Sequence, residues 1–144
     1  IAAGPFTVTA VGERDGDLLR VQRLEVRRSG EAAPLQVIDG LQTETPWAAP
    51  EAALQALDMD FDGHPDLRLM IFRAAGPNTP WLHWRFDPAL GRFVASAALD
   101  ALSPTRFDAE RQRVIVDWRD GAARSGSDAY VWQGDALQPA PPPR

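Results

Sequence analysis

The chain has 144 residues, a net charge of −5 at pH 7, no cysteine and a hydrophobic fraction of 44 %. The lack of cysteine excludes disulfides, thiol catalysis and thiolate metal sites, and the negative charge disfavours nucleic-acid binding. No apolar run approaches the roughly 18–20 residues of a membrane-spanning helix. Because the sequence begins at Ile1 without a signal-like stretch, we expect a mature product from which a targeting segment or lipid anchor has been removed.

The first third of the chain has the pattern of a β-hairpin and a third strand. Apolar and polar residues alternate over 6–13 and again over 18–28, with an Asp-Gly turn signal between them. The alternation changes register near Arg23, which predicts a β-bulge. A short strand is predicted over 35–38, and the prolines of 40–50 predict a loop.

The middle of the chain alternates turn signals with short apolar runs. One helical turn is predicted near 50–54, and the apolar run 67–72 is typical of a central strand buried on both faces. A second hairpin is predicted with strands at 81–86 and 92–94, joined by a turn that contains proline and glycine. The segment 97–102 fits either a helical turn or an irregular edge.

The last third predicts further strands and a tail. Strands are expected at 113–118 and 127–133, and the Pro-rich residues 138–144 are predicted to be a disordered tail, which leaves a single domain over 1–137. Roughly seven to nine short strands with almost no helix predict an all-β fold of small antiparallel sheets built from hairpins. Propeller-like, sandwich and open-barrel arrangements all fit this pattern.

The densest cluster of charge is the stretch DMDFDGHPDL, which begins at Asp58. Alternate residues of an extended turn point the same way, so Asp58, Asp60 and Asp62 can converge, and the following glycine permits the bend that returns Asp66. Such oxygen ligands suit Ca²⁺, with the carbonyl of His64 as a further ligand. The sequence therefore predicts a Ca²⁺ site formed by Asp58, Asp60, Asp62, His64 and Asp66. A weak site of this kind fills where free Ca²⁺ is high, outside the cytoplasm.

We expect this ion to be structural. The loop is not an EF-hand, because Leu69 occupies the twelfth position and the flanks look like strands. A catalytic ion would need an open coordination position and neighbouring acid–base groups, and the sequence offers only His64 and His83 as histidines. The alternative interpretation is a solvated acidic turn without a metal.

A second segment of interest is Arg124-Ser125-Gly126-Ser127-Asp128-Ala129-Tyr130. Its Arg, Ser and Gly residues indicate an exposed, mobile stretch before a strand that begins near Asp128, and the alternative interpretation is a plain hairpin loop. Tyr130 is more often a core or interface aromatic than an active group. No G-x-S-x-G motif is present. A catalytic triad of Ser125, His83 and an aspartate can be assembled on paper from any sequence that contains these residue types, so it does not indicate catalysis. We therefore predict that the protein is not an enzyme.

Several features together resemble a known group of proteins. They are the acidic loop at 58–67, the pattern W-x-F-D-x-x-x-G-x-F at 84–93, and a late Y-x-W at 130–132 with G-x-x-L at 134–137. These are similar to small bacterial periplasmic proteins with one calcium loop of the FG-GAP/integrin type. They look like the immunity proteins that accompany peptidoglycan-cleaving effectors of bacteria-killing type IV secretion systems in xanthomonads. Those in turn resemble the periplasmic inhibitors of invertebrate-type lysozyme.

The resemblance implies a periplasmic inhibitor, free or held at the outer membrane by a lipid anchor, whose partner is a lysozyme-like peptidoglycan hydrolase. Such inhibitors insert a loop with a Ser-Gly…Tyr motif into the hydrolase cleft. The segment here looks like that motif, with a longer gap before the tyrosine. The partner-binding residues implied are Arg124, Ser125, Gly126, Ser127 and Tyr130.

Two other functions fit parts of the sequence. A calcium-dependent secreted hydrolase would use the acidic loop for catalysis. A single FG-GAP-like adhesion or structural module would use the loop as a repeat unit, but such units usually occur in series and only one copy is present.

Overall fold

A computed structural model describes residues 1–74 and 78–141. Strands account for 54 % of the described residues and helices for 7 %, and no sheet that these residues form closes into a barrel. The predicted all-β fold of small antiparallel sheets is therefore confirmed. Residues 75–77 of the predicted loop after the central strand, and residues 142–144 of the predicted tail, lie outside the described residues.

The first sheet is built on the predicted N-terminal hairpin. Its strands are β1 (Ala2–Ala3), β2 (Phe6–Asp15), β3 (Leu18–Arg28), β4 (Gln36–Ile38) and β5 (Thr43–Pro46). The register between β2 and β3 shifts between Val11 and Gly12, opposite Gln22, so the predicted bulge is confirmed one residue before Arg23. Strand β5 lies in the predicted loop 40–50. Hydrophobicity misses it because its Thr-Glu-Thr-Pro sequence is polar, and it forms by pairing with the start of β3.

The second sheet holds the central strand. The helical turn α1 (Pro50–Ala53) leads into β6 (Leu54–Leu57), β7 (Asp66–Met70), β8 (Trp81–Asp87) and β9 (Arg92–Ala95). All residues of β7 are buried, as predicted for a central strand, but the strand ends at Met70, and Phe72 of the predicted run 67–72 lies outside it and is exposed. Leu67 and Leu69 share a hydrophobic core with Val8 and Leu24 of the first sheet. The acidic loop joins β6 to β7 and therefore lies at one end of this sheet.

The third sheet follows the short helix α2 (Ala97–Leu102). Its strands are β10 (Arg106–Asp108), β11 (Arg113–Asp120), β12 (Arg124–Gln133) and β13 (Ala136–Pro139). Met59 from the acidic loop, Leu99 from α2 and Val114 from β11 form a second core beneath this sheet. The acidic loop is therefore part of the packing between the second and third sheets.

The third sheet extends past the predicted domain boundary. Gln138 and Pro139 belong to β13 rather than to a disordered tail, because they pair with Val131 and Tyr130. The amide of Ala140 continues the ladder by donating to the carbonyl of Ala129 at 2.8 Å.

In the second and third sheets, neighbouring strands are consecutive in the chain, as in the blades of a propeller. The first sheet departs from this order at β5, which pairs with β3. Gln36 joins the first sheet to the second, because its side-chain amide donates to the carbonyl of Phe93 at 2.8 Å and accepts from the amide of Phe93 at 2.9 Å. Among the described residues, no helix is long and apolar enough to cross a bilayer.

Candidate functional site

Three carboxylates of the acidic loop converge. Asp58 follows β6, Asp66 begins β7, and Asp60 lies between them in the loop. One oxygen from each of Asp58, Asp60 and Asp66 lies within 4.8 Å of the others. This group could hold a metal ion.

The loop is shaped by its own carboxylates and by left-handed backbone. Asp58 accepts hydrogen bonds from the amides of Asp62 at 3.2 Å and Gly63 at 2.9 Å. Gly63 has a φ of 89° and Phe61 a φ of 62°. The left-handed region favours glycine, so Gly63 has the role in the bend that the sequence predicts for it.

Asp66 anchors the loop to the second sheet. It is fully buried, and its two oxygens accept from the amides of Phe86 and Met59, each at 2.8 Å. Burial raises the pKa of Asp66 to about 7, partly offset by these two amides and reinforced by the charges of Asp60 and Asp62. Asp66 forms no salt bridge with any described residue, so a cation bound at this position would compensate its charge.

Asp60 has the surroundings that best fit a bound cation. Its side chain is 6 % exposed, and Oδ2 accepts from Nε of Arg85 at 3.0 Å. Its Oδ1 is buried without a hydrogen-bond partner among the described residues. Burial, followed by the neighbouring Asp62, raises the pKa of Asp60 to about 6 despite Arg85. A set of oxygen ligands with one orphaned oxygen fits a hard cation.

Arg85 and Trp132 connect the loop to the third sheet. The Arg85 guanidinium lies 4.0 Å from the centroid of the Trp132 ring. The Trp132 indole Nε1 donates to the carbonyl of Met59 at 2.9 Å. Arg85 also reaches Asp135 at 3.2 Å, at the turn between β12 and β13. The position of the loop is therefore coupled to β12.

The other two predicted ligands are placed differently. Asp62 is not part of the converging group, and its Oδ1 accepts from the amide of His64 at 2.9 Å. Asp62, Asp60 and Arg85 line a groove of about 450 Å³. The His64 ring packs 5.4 Å from the Phe86 ring, centroid to centroid. Coordination through the His64 carbonyl stays a prediction.

The predicted partner segment is a strand and not a mobile loop. Residues 124–127 lie in β12, where Ser125 pairs with Arg119, Gly126 with Trp118 and Ser127 with Asp117. The turn of this hairpin is Gly121–Ala123, between the ends of β11 and β12. The prediction placed the strand start too late, because its small and polar residues are ordered by pairing with β11.

Gly126 is fitted to Trp118. A Cβ atom at Gly126 would lie 2.5 Å from Cζ2 of Trp118, so a side chain there would displace the indole. The glycine of the segment therefore allows the tryptophan to cover the β12 backbone.

Asp117 is the centre of a polar network on the opposite face of the hairpin. It accepts from the hydroxyl of Thr105 at 2.7 Å, from Nε of Arg106 at 3.0 Å and from the hydroxyl of Ser127. These bonds, with Arg106 the strongest, lower the pKa of Asp117 to about 2. The network ties β10, β11 and β12 together.

Tyr130 lies apart from the exposed part of the segment. It is half-buried and packs against the core of Met59, Leu99 and Val114, whereas Ser125 and Ser127 are exposed. The structure therefore separates Tyr130 from the other predicted partner residues and places it in the body of the sheet.

Sequence reasoning missed Arg85, Thr105 and Arg106, because an arginine or threonine in a short strand carries no distinctive pattern. His83, one of the two histidines of the chain, is buried, with Nδ1 3.0 Å from Oδ1 of Asp100. Trp132 was part of the resemblance, but its contact with the loop could not be seen in the pattern.

No family model matches the chain, and no curated protein matches it. Among solved structures, the chain is similar to a protein described as a Xanthomonas type IV secretion system related protein. The TM-score is 0.67 at 14 % sequence identity, and the match covers 94 % of this chain and 76 % of that one. At this identity the similarity shows a shared fold.

Proposed function

We propose that the protein is a periplasmic inhibitor that binds a lysozyme-like peptidoglycan hydrolase and inserts the β11–β12 hairpin into its cleft. The observation that carries the proposal is the position of Ser125 and Gly126 near the end of this hairpin. Strand β10 pairs with β11 only from Arg113 to Ile115. Strand β13 pairs with β12 only from Tyr130 onward. The part of the hairpin beyond these residues is a two-stranded ribbon.

The ribbon has the chemistry for a cleft lined by carboxylates. Its end presents the side chain of Arg124, which is 75 % exposed, beside the exposed hydroxyl of Ser125. A guanidinium and a hydroxyl can both donate to a carboxylate, and charge-assisted hydrogen bonds are the stronger kind. The catalytic groups of lysozyme-type enzymes are carboxylates.

The ribbon is ordered before it binds. The bonds of Asp117 to Thr105 and Ser127 hold one face, and the Trp118 ring against Gly126 fills the other. A pre-ordered binding element loses less conformational entropy on association. This supports inhibition by a fixed wedge.

We also propose that Ca²⁺ occupies the acidic loop as a structural ion. Asp58, Asp60 and Asp66 would hold it, and its role there is to neutralise buried carboxylates. Because Met59 and Arg85 contact Trp132 of β12, loss of the ion would weaken inhibition indirectly. The similarity to a type IV secretion system related protein supports a role outside the cytoplasm.

The test is a titration of lysozyme-like hydrolases, including any encoded beside this protein, with the wild type and with Ser125→Glu. We expect near-stoichiometric inhibition by the wild type and at least a tenfold weaker effect of Ser125→Glu, because a new carboxylate would face an acidic cleft. Ser29→Glu, at an exposed serine in the turn that follows β3, is the matched control and should inhibit normally.

Two results would contradict the proposal. If no hydrolase is slowed at near-stoichiometric ratios, the function is wrong. If Ser125→Glu inhibits as strongly as Ser29→Glu, the hairpin is not the contact.

A further inference from the structure

Within residues 1–74 and 78–141, no strand pairs with the outer edge of β12 at Ser125 and Ser127. The main-chain groups of alternate residues in an antiparallel strand face alternate neighbours. The carbonyl of Ala129 accepts from Ala140, so it faces away from β11. By the same alternation, the amides and carbonyls of Ser127 and Ser125 also face away from β11. Strand β13 does not reach them.

The C-terminal sequence has a proline where it would meet this edge. If the register of Tyr130 with Pro139 continued, Pro142 would lie opposite Ser127. Proline has no amide hydrogen and cannot donate to the Ser127 carbonyl. A proline at that position disfavours continuation of the β13 ladder past Ser127, and β12 itself carries none of the lysines, prolines or bulges that usually block an exposed edge.

The sequence along this edge is Arg124-Ser125-Gly126-Ser127-Asp128. Read in opposite directions, two copies of this sequence bring arginine opposite aspartate and serine opposite serine. We propose that two copies of the protein pair through their β12 edges, antiparallel and about a two-fold axis at Gly126. Ser125 of each copy then lies opposite Ser127 of the other. Arg124 of each copy lies opposite Asp128 of the other.

The register satisfies the main-chain geometry. Ser125 and Ser127 are the residues whose amides and carbonyls face outward, so each opposed pair can exchange two hydrogen bonds. The two Gly126 residues form a pair without hydrogen bonds, the type in which opposed Cα atoms come closest, at about 4.5 Å. Glycine leaves this position free of side chains. The Trp118 ring already covers Gly126 on one face and would lie at the centre of the joined sheet.

The charges favour the same register. Arg124 has one ion-pair contact in the described chain, a distant 3.9 Å to Asp120 with both side chains about three-quarters exposed. Asp128 forms no salt bridge with any described residue. Opposite charges directly across two strands stabilise their pairing, and like charges weaken it.

The neighbouring registers lose these contacts. An axis at Ser127 would place Asp128 opposite Gly126 and Ser125 opposite Ala129, whose carbonyl is already bound to Ala140. An axis at Ser125 would place Arg124 opposite Gly126. The axis at Gly126 is therefore the register that pairs both charges.

The interface is short, so the dimer should be weak and in exchange with the monomer. The pairing does not rest on the proposed function. If that function also holds, the dimer covers Ser125 and competes with the hydrolase.

The experiment is sedimentation equilibrium from roughly 10 µM to 1 mM, the range in which a small interface associates. We expect a monomer–dimer equilibrium in the wild type. Arg124→Asp and Asp128→Arg should each weaken it at least fivefold, because each places like charges opposite one another. The double variant Arg124→Asp/Asp128→Arg should restore it. Arg119→Asp makes the same charge change on β11 and is the matched control.

A second variant tests the main chain separately from the charges. Ser125→Pro removes an amide hydrogen that faces outward and leaves the β11–β12 ladder intact, as proline is tolerated at such edge positions. It should remove the dimer while the circular dichroism spectrum stays unchanged.

A wild type that is monomeric across the whole range would overturn the proposal. So would a dimer that the single charge reversals leave intact, or that the double variant fails to restore. Failure of hydrolase inhibition would leave these results unchanged, so the two proposals are tested independently.

Discussion

The guanidinium of Arg85 stacks on the indole of Trp132 at 4.0 Å from the ring centroid, while its Nε donates to Asp60 of the acidic loop. Trp132 in turn donates to the carbonyl of Met59 in the same loop. One arginine on the second sheet thus joins the candidate cation site to the strand that carries the partner segment. We therefore expect a substitution in the acidic loop to alter the packing of β12.

Arg85→Gln tests this connection. The substitution removes the partner of Asp60, which is largely buried, and the contact with Trp132, so we expect a loss of about 2 kcal/mol in the free energy of unfolding without Ca²⁺. Added Ca²⁺ should reduce the loss, because the ion can neutralise Asp60 instead. Urea denaturation without Ca²⁺ measures the loss of stability, and the same experiment with Ca²⁺ measures how far the ion reduces it. Arg20→Gln removes an exposed pair with Asp15 and should change stability little.

The cation site itself is tested by Asp60→Asn. In the wild type, Ca²⁺ at about 100 times its dissociation constant should stabilise the fold by about 2.7 kcal/mol, and chelation should reverse this. Asp60→Asn should abolish most of that gain, because it removes the charge at the orphaned oxygen. Asp87→Asn, in the same groove but outside the converging group, should keep it. Thermal denaturation with Ca²⁺ and with chelator compares the two, and an equal loss in both would argue against the site.

The pH dependence follows from Asp66 and Asp60, whose pKa values are raised to about 7 and about 6. Without Ca²⁺, the folded chain takes up these protons before the unfolded chain does, so stability should fall as the pH rises from about 5 to 8. Protons compete with the cation, so Ca²⁺ affinity should fall as the pH drops through 7 and 6. Calorimetric titration at several pH values measures the affinity. An affinity that is constant from pH 8 to 5 would contradict the assignment.

Asp117 behaves in the opposite way. Its bonds to Arg106, Ser127 and Thr105 hold its pKa at about 2, below that of an unfolded aspartate. Its contribution should be complete above about pH 4 and be lost as the pH falls through about 2. Asp117→Asn should loosen the hairpin at neutral pH and remove this acid transition. Amide exchange of β11 and β12 reports both, with Asp108→Asn in β10 as the control.

Gly126→Ala tests the fit of the hairpin. The added methyl group overlaps the Trp118 ring, which must move, so we expect a loss of about 1 kcal/mol in stability and a changed near-ultraviolet spectrum. Ser125→Ala, one position away on the other face, should leave the spectrum unchanged. An unchanged spectrum in Gly126→Ala would contradict the close contact between Gly126 and the Trp118 ring.

Local patterns predicted the elements that local chemistry controls. The alternation of β2 and β3 and the apolar run of β7 gave the correct strands. The polar strands β5 and β10 were missed, because each forms by pairing with a neighbouring strand and not through its own hydrophobicity. The same reason moved residues 124–127 from a predicted loop into β12 and carried β13 past the predicted boundary.

The sequence by itself determined the all-β class and the acidic loop, because both depend on the order of nearby residues: alternation for strands, and spaced carboxylates with a glycine for the loop. Which carboxylates converge was decided only by tertiary structure. Asp66 joins the group and Asp62 does not, because Asp66 is held by the amide of Phe86 on another strand. The link through Arg85 to Trp132, and the separation of Tyr130 from Ser125, likewise depend on contacts between sheets that no local pattern encodes.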